Sequence, residues 1–392
     1  MMSTETRGSV FKGSPVRTLA VLHPAFALTG ICHSIGGPLL PSLAPAFHLN
    51  DSQAGFLLFA YFGGTSLGAL LCGRRHARTL TLGFLALTLA ALAVAATNRM
   101  FLYPVFLLFG MGVGVPMTAV SMHAGRTFGA RSAAPLTFLN FSWSAGALFA
   151  PLLAARLLAN HTFRAAYVIL ACASSLAAIA CGLRLEDAPE PERAAVPVSR
   201  MVSLRFIAIF AFLAFLEVGV ENTAASWLTT YVFRTAGTAA TWAAAASSLY
   251  WCGFLASRGV SSLLLLRVDA GRLLRGAVFV GVLAGVALLA MPRTSGHVVA
   301  MVILGAALAP IFPLLLARFF AQARNSADSR WVLSLCGFGG SVLPWIAGLV
   351  SARTGSLRLG LVVIPAALLL MIVFTMPLIR GQGSEEPMDS QV

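Results

Sequence analysis

Two acidic residues stand where acids are costly. The run FLEVGVENTAASWLTTY, Phe215 to Tyr231, is apolar around Glu217 and Glu221. The chain has 13 acidic residues, and all the others fall in polar tails, linkers or at the ends of apolar segments. A carboxylate inside a membrane costs ~2.5–3.5 kcal/mol or more on insertion scales, so one that is kept there needs a use. Four residues apart, the two acids share one helix face, separated by about 40°. Two charges that close in a low dielectric repel, so at least one is expected to carry a proton at neutral pH. Loading and releasing a proton inside a membrane is what a proton-coupled carrier requires. The structural alternative is a carboxylate paired with a nearby arginine.

Other polar residues interrupt apolar runs. His33 follows Arg17 by 16 residues, and Glu221 follows Arg205 by 16, ~24 Å of helix. A histidine opposite a glutamate makes a titrating pair; the plain alternative is a histidine bonded to a neighbouring carbonyl or serine. Asn140 and Ser144 share a face with Trp143 beside them. An amide, a hydroxyl and an indole together suit a polyhydroxylated solute, which presents hydroxyls and a flat C–H surface. Asn222 and Trp227 offer the same mixture, and Tyr231 falls close to the stripe of the two acids. Tryptophans also pack between helices or sit in the interfacial belt. His33, Glu217 and Glu221 are thus the expected proton-coupling residues. Asn140, Trp143, Ser144, Asn222, Trp227 and Tyr231 are the expected solute contacts.

These residues need long apolar helices to hold them. Of 392 residues, 58% are hydrophobic and 10% charged, and the mean hydropathy is +0.86. That composition excludes an ordinary soluble domain. Runs of ~20 apolar residues recur along the chain, the pattern of a multi-pass α-helical membrane protein. Twelve spans are expected, near 18–46, 52–73, 77–97, 101–127, 132–159, 163–183, 204–233, 238–265, 272–291, 296–323, 328–352 and 357–379. The one long connection, 184–203, holds three prolines and seven charged residues and reads as a solvated linker. It divides the chain into six spans at 18–183 and six at 204–379, with polar tails at 1–17 and 380–392.

The net charge of +14 comes from arginines in short loops. With both termini and the linker cytoplasmic, 20 of the 27 Lys and Arg fall inside, as the positive-inside rule requires. That accounts for the basic balance without nucleic acid. No signal peptide is expected at the N-terminus. The six cysteines form no CxxC pair and read as small buried hydrophobes. Gly110, Gly112 and Gly114 form a packing stripe and not a nucleotide loop. No Walker lysine and no HExxH occurs, so ATP-driven transport and membrane proteolysis lack the residues to support them. No domain larger than the linker exists to pass on a signal, which argues against a sensor.

The two sets of six spans echo each other. Gly146 precedes Pro151 by five in span 5, and Gly339 precedes Pro344 by five in span 11. Tyr61 precedes Gly64 by three in span 2, and Tyr250 precedes Gly253 by three in span 8. Paired six-helix repeats place a solute site near the midplane between them. Six plus six spans with a long central linker resemble the major facilitator superfamily. GPLLPSLAPAFHLNDSQAGFLL (Gly37–Leu58), Gly219 and Glu221 followed by Trp227 and Tyr231, APIFPLLLA (Ala309–Ala317) and GFGGSVLPWIAGLVSARTGSLRLGL (Gly337–Leu361) are similar to stretches of its fucose and glucose/galactose permease group. The resemblance implies an all-α fold in two six-helix bundles and a monosaccharide taken up with a proton by alternating access. Proton-driven export of drugs or metabolites and sodium coupling are the alternatives. It implies a monomer in the cell inner membrane that needs no cofactor beyond the coupling ion. Two departures stand out. The loop after span 2, LCGRRHAR (Leu71–Arg78), lacks the acid usual in the superfamily, and spans 1 and 4 carry none of the acids expected of fucose permease. Arg74, Arg75, Arg126 and Arg258, toward the cytoplasmic ends, are expected gate contacts.

Overall fold

The computed structural model describes residues 15–128, 133–187, 204–291, 294–322 and 329–380. These residues form fifteen α-helices and no strand. In chain order they are α1 (Pro15–Ser34), α2 (Gly36–Ala46), α3 (Asp51–Leu70), α4 (His76–Ala96), α5 (Leu102–Phe128), α6 (Ala133–Leu158), α7 (Phe163–Arg184), α8 (Leu204–Ala236), α9 (Ala240–Leu264), α10 (Ala270–Ala290), α11 (Thr294–Leu308), α12 (Ile311–Gln322), α13 (Ser329–Thr354), α14 (Leu357–Gly360) and α15 (Val363–Arg380). The pairs α1–α2, α11–α12 and α14–α15 each make one crossing, so the helices form twelve spans. Residues 1–14 of the expected tail at 1–17, 381–392 of that at 380–392 and linker residues 188–203 lie outside the described residues. The side holding the start of α1 and the end of α15 is called the terminal face below, and the opposite side the distal face.

Three spans expected to be continuous are broken, and proline explains the first two. Pro38 has no N–H to give the Ser34 carbonyl, and the chain bends by 41° between α1 and α2. Pro313 likewise cannot serve the Ala309 carbonyl, and α11 and α12 part at Ala309–Pro310. The first break leaves His33 in the last turn of α1. By contrast α8 runs unbroken for 33 residues, ~50 Å of helix. Its midpoint, Val220, falls between Glu217 and Glu221.

Seven crossings are apolar enough by composition alone to span a membrane, and the bent α1–α2 pair makes an eighth. The other four crossings are α3, α8, α9 and α13. α3 packs on α13, α8 on α2 and α13, and α9 on α6. A helix shielded from lipid can carry polar residues that a lipid-facing one cannot.

The sequence echoes mark matching close approaches. In the first group of helices, α1–α7, a Cβ added at Gly146 would strike the Ala27 carbonyl and one at Gly110 the Tyr61 carbonyl. In the second group, α8–α15, Gly339 meets the Phe215 carbonyl and Gly305 the Tyr250 carbonyl. Each group therefore joins its first span to its fifth, and its second to its fourth, by backbone contact that only glycine permits. The register follows: His33 lies six residues after Ala27, and Glu221 six after Phe215.

None of the six cysteines forms a disulfide. Cys32, Cys181 and Cys336 are buried as expected, whereas Cys172 and Cys252 are exposed on the outer surface. Lipid-facing and core-facing residues are equally apolar, so sequence does not separate them. The acid missing from LCGRRHAR is replaced from a distance: Asp187 Oδ1 accepts from the Ala77 N–H at 2.7 Å and caps α4. At the start of α10 the cap is local, with Asp269 Oδ2 accepting from Gly271 N at 2.8 Å and Arg272 N at 3.0 Å.

Gly339→Leu is expected to destabilise the purified protein by ~1–3 kcal/mol or more through overpacking, read as a lower Tm in detergent. The Arg272 N–H, followed by that of Gly271, holds the Asp269 carboxyl below its ordinary value of 3.8 despite some desolvation. A lowered carboxylate stabilises above its unfolded pKa and loses that contribution as pH falls through its folded one. Asp269→Ala should therefore lower Tm at neutral pH, and the difference from wild type should vanish in acid.

Candidate functional site

The two groups of helices meet at a hydrogen bond. His33 Nε2 at the end of α1 lies 3.2 Å from Asn222 Oδ1 on α8. With Oδ1 as acceptor, Nε2 carries the hydrogen and Nδ1 is left buried without a partner. Aromatic rings wall the imidazole, with centroids of Phe62 at 5.2 Å, Trp143 at 5.4 Å and Tyr61 at 6.4 Å. Tyr61 also donates its hydroxyl to the Cys32 carbonyl at 2.9 Å, steadying α1 just before its break.

From Trp143 the cluster continues into the second group. Its indole stands edge-on to Trp251 at 5.9 Å, and Trp251 packs on Tyr250 at 5.1 Å and Phe254 at 5.2 Å. Arg258 lies over Phe254 at 4.8 Å and Trp143 at 6.0 Å. Its Nη1 donates to Ser144 Oγ at 2.8 Å and to the Asn140 carbonyl at 3.2 Å, crossing between the groups. Arg258 also interacts electrostatically with Glu221 and Glu217. Glu217 is fully buried, and neither of its carboxyl oxygens has a partner.

Buried polar atoms are ordinarily hydrogen-bonded. Here His33 Nδ1, Trp143 Nε1, Glu217 Oε1 and Oε2, Tyr250 OH, Arg258 Nε and Ser341 Oγ all lack partners, and they come from α1, α6, α8, α9 and α13. Such groups at the meeting of two bundles have hydrogen-bonding capacity free for a polar solute.

Of the expected residues, the structure brings together His33, Glu217, Glu221, Asn222, Trp143, Ser144 and Arg258. Asn140 takes part through its backbone carbonyl alone, since its side-chain amide donates to the Leu136 carbonyl at 2.9 Å. Trp227 and Tyr231 are not brought to the cluster. Trp227 donates to the Pro344 carbonyl at 3.0 Å, and Tyr231 to the Leu288 carbonyl at 3.4 Å with its ring edge-on to His297. Both fix the distal end of α8 in its own group. Arg126 donates to the Arg74 carbonyl at 2.6 Å, a contact within the first group at the terminal face, and Arg74 and Arg75 are exposed there. Arg258, expected as a gate contact, joins the central cluster instead. Phe62, Trp251 and Ser341 were not singled out in the sequence; an aromatic inside an apolar span has no local mark that separates a site from a core.

A polar clasp closes the distal face. Asn50 and Gln53 form a capping box that starts α3, which sets Asp51 in its first turn. Arg234 Nη1 and Nη2 each lie 2.7 Å from an Asp51 carboxylate oxygen, and Ser351 donates to Oδ2 at 2.5 Å. Asp51 belongs to the first group, and Arg234 and Ser351 to the second. The groups also approach there along α2, which packs on α8 and α9, whereas α1 packs on α5, α6 and α7.

The sequence profile of the Major Facilitator Superfamily matches residues 22–329. The chain belongs to the Major Facilitator Superfamily. It is thus a multi-pass membrane transporter and not an enzyme. Among characterised relatives, a glucose/galactose transporter of Brucella abortus biovar 1 (strain 9-941) is 24% identical over 383 residues, covering 90% of this chain and 92% of its own. Among solved structures, a D-xylose–proton symporter superposes with a TM-score of 0.76 at 13% identity, covering 92% of this chain and 97% of its own. The superfamily transporter FucP, in its outward conformation, superposes with a TM-score of 0.64 at 18% identity, covering 92% and 98%. At these identities the two structures share the fold with this superfamily member.

The distal clasp leads to a measurable expectation for the transporter. Arg234 is 45% exposed, so the pair is worth at most ~1 kcal/mol, about a fivefold change in population. Asp51→Asn should raise the rate at which a cysteine placed at buried Ala225 reacts with an impermeant maleimide by about that factor. The swapped pair Asp51→Arg with Arg234→Asp should restore slow labelling.

Proposed function

We propose that this transporter carries a monosaccharide or similar polyhydroxylated solute together with a proton by alternating access. The observation that carries the reading is Glu217, fully buried without a hydrogen-bond partner beside Glu221 and within the electrostatic reach of Arg258. An ionised carboxylate without a donor costs several kcal/mol in such surroundings, so the closed arrangement accepts Glu217 as the neutral acid. Parting of the two groups admits water and lets the proton leave. Glu221, with Glu217, loads and releases it, and His33 faces them across the interface. His33, Asn222, Trp143 and Ser144 contact the solute, with hydroxyl partners from the imidazole, amide and serine and a flat face from the indole. The likeness to a glucose/galactose transporter over nearly the whole chain supports a sugar as the solute.

The positive-inside count supports a cytoplasmic terminal face, and the proposed transporter acts as a monomer in the cell inner membrane. The distal clasp of Asp51 and Arg234 then seals the outside. On this reading the described conformation is closed outward.

One observation favours a second reading. The walls of the site are mostly aromatic (Tyr61, Phe62, Trp143, Tyr250, Trp251 and Phe254), with Asn222 the one side-chain amide bonded there. Such a surface also suits an amphipathic metabolite or drug exported against a proton.

Proteoliposomes test both readings. A screen by thermal shift over sugars at two pH values finds a ligand, since specific binding stabilises by RT ln(1 + [L]/Kd). With that sugar, an imposed inward proton gradient should drive its uptake and acidify the lumen, with sodium immaterial. Glu221→Gln should keep binding and lose the response to the gradient. Unchanged proton coupling in both Glu217→Gln and Glu221→Gln would sink the proposal. Stabilisation by amphipathic cations and none by sugars would turn it toward export.

A further inference from the structure

Arg258 has more donors than its partners use. A guanidinium holds five N–H groups in a rigid fork. Here Nη1 serves Ser144 Oγ and the Asn140 carbonyl, while the buried Nε has no acceptor. Glu217, in the same electrostatic neighbourhood, has two buried oxygens and no donor. Among the described residues, no ion pair joins Arg258 to either acid. An under-used cation and an unserved acid thus share one electrostatic neighbourhood, while the cation is spent on neutral acceptors of α6.

Those acceptors belong to the other group of helices. The bonds from Arg258 to Asn140 and Ser144 tie α9 to α6 toward the terminal face, opposite the Asp51–Arg234 clasp. The two possible sets of partners exclude each other, because one guanidinium on one stem cannot reach across the interface and turn to its own group at once. Which set wins depends on charge. A carboxylate adds a full opposite charge and a bidentate geometry that neutral oxygens do not offer a guanidinium, and a buried carboxylate left unpaired is strongly unfavourable.

We propose that Arg258 is a positioning residue that turns the charge of α8 into contact between the two helix groups. While Glu217 and Glu221 are neutral, its guanidinium bonds α6, as described. When either acid ionises, the guanidinium leaves Ser144 and Asn140 for the carboxylate, and α6 is released from α9 on the terminal side. This rests on the proton-coupled reading of the two acids and adds the part that moves.

Trp143 reports the move without any solute, because the guanidinium lies over its ring and a cation there perturbs the indole. Other titratable groups face this place: His33 and His23 from α1, Glu217 and Glu221 from α8, Tyr250 from α9 and Cys336 from α13. The variants must separate them. The measurement is the Trp143 emission of the purified full chain, taken as wild type minus Trp143→Phe, over pH about 5 to about 9. A single transition is expected. It should be absent in the Glu217→Gln, Glu221→Gln double variant, which stays at the acid-side emission, and absent in Arg258→Gln. It should persist in His33→Gln and His23→Gln. Ser144→Ala, which removes an acceptor but no charge, should move the midpoint ~0.5 pH unit lower, because the α6-bound form is weakened. The Ser144 variant also serves if Arg258→Gln does not fold.

The proposal is overturned by a transition that survives in the double glutamine variant, by one abolished in a histidine variant, by an unmoved midpoint in Ser144→Ala, or by no transition in wild type. Each of these leaves the transport assay free to succeed, so failure of the moving arginine is distinguishable from failure of proton coupling.

Discussion

Glu217 lies at the centre of the molecule with both carboxyl oxygens buried and no donor at either. In a membrane interior no water stands ready to serve such a group, so its surroundings are the whole of its solvation. Much of the architecture follows from that constraint. α8 must be covered on several sides, and α2, α9 and α13 cover it. The helix must also be long enough to bury its midpoint, and at 33 residues it overshoots a ~30 Å hydrocarbon core at both ends. Any route for a proton or a solute to Glu217 requires the two groups of helices to part.

The contacts within a group and those between groups differ in kind. Within each group, glycines bring helix backbones together: Gly146 to Ala27 and Gly110 to Tyr61 in one, Gly339 to Phe215 and Gly305 to Tyr250 in the other. Backbone packing of that closeness has one arrangement and no soft coordinate. Among the described residues, polar contacts between the groups include Asp51 with Arg234 and Ser351, His33 with Asn222, and Arg258 with Ser144 and Asn140. Water can replace each partner when the groups separate. Two rigid bodies joined by exchangeable clasps are what rocking about a central site needs.

Much of this was legible in the sequence. The number of spans, the depth of Glu217 and Glu221 and the kinship of the two sets of six rest on local quantities: runs of ~20 apolar residues, a rise of about 1.5 Å per residue and glycines at matched positions. The prolines at 38 and 313 were equally visible, but a proline in an apolar span bends some helices and is absorbed by others, as Pro116 is in unbroken α5. The breaks therefore needed the structure. Trp227 and Tyr231 share a helix with the acids, and their departure from the cluster also needed it, because α13 and α10 supply the carbonyls that hold them.

Tertiary structure alone decided the partners. Asp51 and Arg234 are 183 residues apart, and nothing local to either marks the other. Asp187 caps a helix through an N–H 110 residues earlier, filling the place of an acid that the loop itself lacks. Arg258 reads in sequence as one more arginine near a helix end, and only the meeting of α6 with α9 brings it to Ser144 and Asn140. The physical reason is the same throughout. Hydrophobicity and helical period act over a few turns and are written along the chain, whereas a buried polar atom is satisfied by whichever group the fold carries to it, and that distance in sequence has no limit.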